Sequence, residues 1–452
     1  MRDIAVTLAI FATLPFILKR PWIGILVWAW VGYMNPHRLT WGFAYSFPFA
    51  MIIALTTLTA LLISREKKEI PWTRETILLL VLTVWIFVTT VFSLYPWLAW
   101  PQWDKVWKVM LMTYVTMILI NDEYRLKALM FVIALSLGFY GVKGGIFVVT
   151  GGSAHSVMGP MGSFIGDRNS IGLALIMTVP LLNYMRMHFD RAFVNNLPVV
   201  RYMISAWVVR WGLLGAIGLT LIAIVGTHSR GALVGLVCMT FFYLLKSRQK
   251  FVAILSLIPL VFVLYTVMPD EYFARMETIT NWEEDGSASE RVRAWNNAID
   301  LANTRFIGGG MRALVHWGGR DSHSIYFGIL AEHGWVGLTM FLLLLLFTWR
   351  SGSWIIRNTR KVKELYWARD LAAMVQVSLV GYMSAGAFLG LQYFDLFYHL
   401  VAITVMARCV VTRRLQDMER AGAAARSMAE QGAPASGPGH VSTAGPPGMQ
   451  WR

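Results

Sequence analysis

The sequence predicts an all-α, polytopic membrane protein. Three observations carry that reading. Hydrophobic residues make up 56% of 452 and charged residues only 14%, where a soluble domain has about a quarter charged; mean hydropathy is +0.54. Apolar runs long enough to cross ~30 Å of hydrocarbon recur along the chain. Basic residues cluster in alternate loops.

The first 33 residues hold two short apolar runs, 4–18 and 22–33, with Lys19-Arg20-Pro21 between them. They fit either a tight hairpin or one broken span. Further spans are expected near 46–63, 75–94, 105–120, 127–149, 166–186, 209–226, 231–245, 250–268, 324–349, 371–389 and 395–411, about 12 transmembrane helices in all. The chain then divides into N-terminal transmembrane helices over 1–267, a large polar loop with amphipathic helices over 268–322, and C-terminal transmembrane helices over 323–411. The tail, 412–452, becomes rich in Ala, Gly, Pro and Ser and is expected to be disordered from about 422. No cleavable signal pattern opens the chain, since Asp3 follows a single Arg2.

The net charge of +15 does not imply nucleic acid. Arg65, Lys67 and Lys68 share one loop with Arg74; Lys246, Arg248 and Lys250 share another. Arg350 to Arg369 fill a third, whereas 95–104, 150–165 and 390–395 carry almost no positive charge. This is the positive-inside pattern, which sets topology and contact with membrane lipids and puts 268–322 on the outer side. Cys238 and Cys409 both fall in apolar runs, so no disulfide framework or thiolate metal site is implied.

Four positions are expected at the outer face. Arg168 lies in GSFIGDRNSIG, Arg230 in GTHSRGALVG, Arg291 in SASERVRAW and His323 in RDSHSIYFG. Arginine at the edge of hydrocarbon pairs, snorkels or binds an anion, and its planar fork matches phosphate. Three arginines around one outer cavity would clamp a diphosphate; the plainer alternative is separate snorkelling side chains. Ser287 to Glu290 fits a capping box, so a helix is expected over about 289–303. Arg291 and Trp295 would share its face, extended by Ala298, Ile299 and Ala302. Arg168 would stand at a helix N-terminus, where free N–H groups attract anions; capping by Asp167 or Asn169 is the safer role for those two.

His323 is the candidate acid–base group, because an imidazole accepts a proton near neutrality. Asp321 could orient it, although a residue two away often points elsewhere. Glu332 and His333 read as structural or supporting residues deeper in the span. Lys143 and Lys108 lie within apolar runs and are weaker candidates, near enough to the outer end to snorkel; His37 and Arg38 are weaker still. No phosphate-binding loop and no H-E-x-x-H occurs, and Glu283, Glu284 and Asp285 point in different directions as a solvated run. No metal site and no cofactor are expected.

The segments SRGALVGL (229–236), ERVRAWNNAIDLANTRFIGGG (290–310) and DSHSIYFGILAEHGWVGL (321–338) together resemble the O-antigen ligase and polymerase family of bacterial envelope proteins. The family pattern is an arginine at a span entry, an R-x-x-x-W helix, a G-x-G loop, an H-[NS]-x-[YF] histidine and E-x-G-x-x-G, in that order. GSFIGDRNSIG resembles the subgroup of O-glycosylation ligases associated with exosortase systems. The resemblance implies a GT-C-type glycosyltransferase in the bacterial inner membrane, with an active site facing the periplasm. It would move glycan from undecaprenyl diphosphate to lipid A-core or another glycan acceptor, as a monomer. Carried over by position, Arg168, Arg230 and Arg291 would hold the diphosphate and His323 would act as general base. Ser324 stands where many members have Asn, which puts that position's role in doubt. Polymerisation, or transfer to protein, fits the same motifs. A flippase for the same lipid is the rival from another class, and would be expected to show internal repeats, none of which is clear here.

Overall fold

The computed structural model describes residues 1–189, 206–246, 265–266 and 286–432. Every regular element among them is helical. Six helices are long and apolar enough to cross a membrane: Arg74–Val91, Glu123–Val149, Arg168–His188, Trp207–Val225, Ile325–Asn358 and Asp395–Ala424. This is the pattern of a multi-pass membrane protein. The run expected at 250–268 lies outside the described residues except for 265–266.

The N-terminal ambiguity resolves as a hairpin. Helix α1 (Arg2–Lys19) and helix α2 (Pro21–Met34) break at Arg20, which is extended at φ −140°. Pro21 opens α2, where its missing N–H costs nothing. Asn35 closes it in a left-handed conformation (φ 47°). Asp3, in the first turn of α1, accepts from the backbone N–H groups of Gly42 and Ala44 at 3.0 and 3.1 Å. The start of α1 and the segment after α2 therefore sit at one end. Helix α3 (Phe49–Ile63) packs on α2 through Gly24, where a β-carbon would fall 2.0 Å from Thr57 Oγ1.

Helix α4 (Arg74–Val91) is capped by Thr73, α5 (Pro96–Leu119) opens on a proline, and α6 (Glu123–Val149) is capped by Asp122. A face of α6 bearing Gly141 and Gly145 lies against Thr220 and Leu219 of α8 (Ala206–Val225). Small residues let backbones approach closely where lipid supplies no hydrophobic drive between helices. Helix α7 (Arg168–His188) is buried on most of its surface and is flanked by α6, α8 and α13 (Tyr366–Gly386). Helix α13 also packs on α9 (Arg230–Lys246) and on α12 (Ile325–Asn358).

The polar loop contributes α10 (Gly286–Thr304) and the short α11 (Ala313–Trp317). Helix α10 begins no later than Gly286, so Ser287 lies inside it and not before it as the capping-box spacing predicts. Its buried face is Ala294, Ala298, Leu301 and Ala302, with Ile299 at the margin. Helix α14 (Asp395–Gly432) continues past residue 422, where disorder is expected from composition. The stretch AGAAARSMAE (421–430) is rich in the best helix former, and that propensity extends the helix beyond its apolar part. Residues 433–452 lie outside the described residues.

His37, just after α2, is half-buried against Phe49 with its Nδ1 buried and unpaired. Burial, and then the Arg38 charge, lower its pKa to about 4. A depressed folded-state pKa gives a contribution to stability that is complete above the ordinary histidine range and lost as pH falls through about 4. Thermal unfolding in detergent across that window should fall more steeply for wild type than for His37→Gln; parallel curves would contradict this assignment.

Candidate functional site

The site is built on a kink. Helix α12 is broken at Gly334, whose φ of 68° and ψ of −172° are not helical. Breaking a helix frees carbonyls from their i+4 donors, and buried carbonyls need partners. Three consecutive ones find them. Ala331 O accepts from Gly309 N at 2.8 Å and Glu332 O from Gly310 N at 2.9 Å. His333 O accepts from Trp85 Nε1 at 2.9 Å. The glycine-rich loop after α10 is thus threaded into the kink. It fits only without side chains: a β-carbon at Gly334 would fall 2.2 Å from Phe306 O, and one at Gly308 would fall 2.6 Å from Gly334 N.

Glu332 and His333 stabilise this junction from inside. Glu332 Oε1 accepts from Arg312 N at 2.7 Å, while Oε2 accepts from Tyr393 OH and from Gln392 Nε2 at 3.4 Å. His333 lies between Thr89 Oγ1 (2.6 Å from Nδ1) and Tyr393 OH (2.5 Å from Nε2). Tyr393 donates to Glu332, so its oxygen accepts from His333 Nε2–H. Thr89 Oγ1, beside His333 Nδ1, also donates to Ile86 O at 2.9 Å. Thr89, His333, Tyr393 and Glu332 thus form one connected buried polar chain.

His323 precedes α12 in a left-handed conformation (φ 47°), uncommon for a residue with a side chain. Its two neighbours hold it there. Ser322 and Ser324 are both fully buried. Ser322 O accepts from Trp295 Nε1 at 3.0 Å, and Ser324 Oγ caps α12 at Tyr326 N. The imidazole itself is exposed and makes no hydrogen bond among the described residues. Trp295 stacks on Phe327, with ring centroids 4.9 Å apart and planes 12° apart.

The segment 388–390, after α13, joins this histidine to two other helices. A β-carbon at Gly390 would lie 3.8 Å from His323 Cα and 3.7 Å from Asp321 Oδ2. The Phe388 ring is 6.3 Å from Trp295. At Gly231, the second residue of α9, a β-carbon would lie 3.0 Å from Phe388 Cβ. One turn into α7, a β-carbon at Gly172 would lie 2.9 Å from Ala232 Cβ. The starts of α7 and α9, the Trp295 face of α10 and the start of α12 therefore meet at one end. Arg168 and Arg230 are the first residues of α7 and α9, and Arg291 is one turn before Trp295. Arg168 is exposed; Arg230 and Arg291 are half-buried. Asp167 caps α7 through Asn169 N and Ser170 N at 2.9 and 3.1 Å.

The weaker candidates fall elsewhere. Lys108 pairs with Asp104 at 2.7 Å on the exposed side of α5, the ordinary i,i+4 arrangement. Lys143 is exposed on α6 and lines a separate cavity with Arg2, Arg38 and Trp41. Asp321 makes no hydrogen bond to His323 among the described residues, because its side chain turns toward Gly390. Sequence reading took Glu332 as a structural or supporting residue and did not identify its partners. Tyr393, Gln392 and Thr89 lie far from it in the chain and carry no motif; the signal available was a buried Glu-His pair that must find donors somewhere.

Residues 215–342 match the O-antigen ligase family, and residues 1–190 match a family of unknown function (DUF5935). The chain carries an O-antigen ligase family domain. That domain contains Arg230, Arg291, Trp295, His323 and Glu332; Arg168, Lys143 and Lys108 lie in the first region. The match to that family over this region supports a glycosyl-transferring enzyme in general terms. No curated protein matches the chain.

Gly334→Ala should destabilise the ligase domain by about 1–3 kcal/mol, since it combines a left-handed conformation with a clash against Phe306 O. Gly212→Ala in α8, with open space around it, should leave unfolding unchanged or raised. Equal unfolding temperatures for Gly334→Ala and wild type would disprove the interlock.

Proposed function

We propose that the protein is a ligase-type glycosyltransferase of the GT-C architecture, with about 12 membrane crossings. It moves glycan from undecaprenyl diphosphate to an acceptor, lipid A-core, on the periplasmic side of the inner membrane. The observation that carries this reading is the 388–390 segment. It gathers the arginine-bearing starts of α7 and α9, the Trp295 face of α10 and an exposed His323 at one end of the bundle.

In this reading His323 takes the proton of the acceptor hydroxyl as its oxygen attacks the anomeric carbon. The bond from that carbon to the diphosphate oxygen breaks, and its electron pair leaves with the diphosphate. Arg168, Arg230 and Arg291 hold the departing anion and stabilise its growing charge. Attack opposite the leaving group inverts the anomeric centre. A diphosphate leaving group is already activated, so the reaction proceeds without a metal or another cofactor.

An in vitro transfer assay with lipid-diphosphate-linked glycan, in detergent with EDTA, tests the reading. Wild type should transfer glycan. His323→Ala should lose roughly 10²–10⁴-fold in rate, and Arg291→Ala roughly 10²–10³-fold, with folding intact in both. Robust transfer by folded His323→Ala would remove the general base. Transfer onto a second lipid-linked chain would identify a polymerase, and transfer onto protein an oligosaccharyltransferase. Lipid flipping without any transfer would move the reading to a transporter.

A further inference from the structure

A cavity of 840 Å³ opens at the other end of the bundle, between the carboxyl ends of α7, α9 and α12 and the first turns of α13. Along α7, Arg186 in its wall stands about 27 Å from Arg168. Five cations line it: Arg186, Lys246, Arg357, Arg360 and Arg369. Asp370 is the single carboxylate among the described lining residues, and it is already occupied by Arg369 at 2.8 Å and His188 at 3.1 Å.

The cations are arranged and not merely numerous. Asn183 Oδ1 accepts from Arg186 Nε and Nη2 at 3.1 and 3.0 Å and so holds that guanidinium in place. Arg369 lies over the Tyr366 ring at 4.1 Å, and its Nη1 is buried with no acceptor among the described residues. Lys246 donates to Gln376 Oε1 between the rings of Phe242 and Trp349. Three helix carboxyl ends offset about half a charge each and the start of α13 adds about half a charge, which leaves an excess of roughly three positive charges in a concave space. The positive-inside rule accounts for basic residues on exposed loops. It does not account for a cavity whose cations are positioned by Asn183 and Tyr366 and whose buried Arg369 Nη1 lacks an acceptor among the described residues.

We propose that this cavity binds a phosphate-bearing anion, with the chemistry shared by an anionic phospholipid headgroup and free phosphate. Arginine forks on two sides of the anion satisfy its oxygens bidentately. The site joins α7, α9, α12 and α13, the same helices whose opposite ends meet near His323. The assignment is independent of whether the protein transfers glycan.

Thermal unfolding of the full-length protein in neutral detergent tests this. One arm is titrated with inorganic phosphate, the other with phosphatidylglycerol in mixed micelles, with phosphatidylcholine as the blank. A concentration-dependent rise in Tm is expected for wild type. A rise with the lipid alone identifies the headgroup as the source, and a rise with inorganic phosphate identifies the free anion. The double variant Arg357→Gln, Arg360→Gln replaces two exposed residues and should fold normally, yet require roughly tenfold more ligand for the same shift. Arg186→Gln should behave similarly. Arg350→Gln removes an exposed charge of α12 outside the cavity and should respond as wild type does. The proposal is overturned by the absence of a shift in both arms, by an unchanged shift in the cavity variants, or by an equal weakening in Arg350→Gln.

Discussion

Everything at the His323 end of this molecule depends on the docking of one glycine loop into one broken helix. The kink at Gly334 liberates three carbonyls, and an unpaired buried carbonyl costs about as much as a lost hydrogen bond. Gly309 N, Gly310 N and Trp85 Nε1 each take one. The exchange is possible only because Gly308 and Gly334 have no β-carbons to separate the backbones. It fixes the direction of the first two turns of α12, and with them the position of His323 just ahead. The same loop also ties in the α4–α5 connection, since Leu94 N donates to Gly309 O at 2.9 Å. Glu332 makes the arrangement specific. A buried carboxyl is tolerated only when its oxygens are satisfied, and here the donors come from Arg312 N, Tyr393 and Gln392, on both sides of the kink.

This explains why two motifs, read separately in the sequence, belong together. The G-x-G stretch and the E-x-G-x-x-G stretch are two halves of one contact. Gly308 faces Glu332 and Gly334, while Gly337 lies against His333 Cβ and Trp85 Nε1. The histidine motif has a comparable internal logic. Ser322 and Ser324 are buried so that the residue between them is pushed outward, and Trp295 on α10 holds the first serine's carbonyl. Position 323 is therefore coupled to α10 through a hydrogen bond to backbone, which tolerates a change of side chain at 323 itself.

Hydropathy made the helices legible, because a run of apolar residues in a membrane-like composition has few other outcomes. The six helices apolar and long enough to cross a membrane lie where the sequence places them. The hairpin at 1–34 was ambiguous because α1 and α2 are each short for a crossing, and only the link from Asp3 to Gly42 and Ala44 decides it. Motif spacing located His323 and the Arg291–Trp295 pair, since i,i+4 residues share a face. It did not reveal Phe388, Tyr393 or Gln392. Those residues act through contacts 60 or more positions away, and a distant contact leaves no local periodicity. Lys108, a weaker candidate as a charge inside an apolar run, is paired with Asp104 one turn back. The helix over 421–432 shows that composition suggesting disorder can be outweighed where alanine dominates locally.

The arginines at the His323 end differ in what supports them, and that has a consequence for any anion bound there. Arg168 and Arg230 each open a helix, so each side chain adds its full charge to the partial charge of about half a unit that a helix start already carries. Arg291 lies inside α10 and has no such support. Removing Arg230 leaves the start of α9 still directed to the same end, whereas at α7 Asp167 already accepts from Asn169 N and Ser170 N, so removing Arg168, like removing Arg291, takes away a cation with little behind it. The two helix starts are also in contact, through Gly172 and Ala232, so their fields add over a short distance. An anion recognised at this end would therefore respond unequally to three formally identical substitutions, with Arg230 the most replaceable. This ordering follows from where each arginine sits on its helix, and a set of unconnected snorkelling side chains would not produce it.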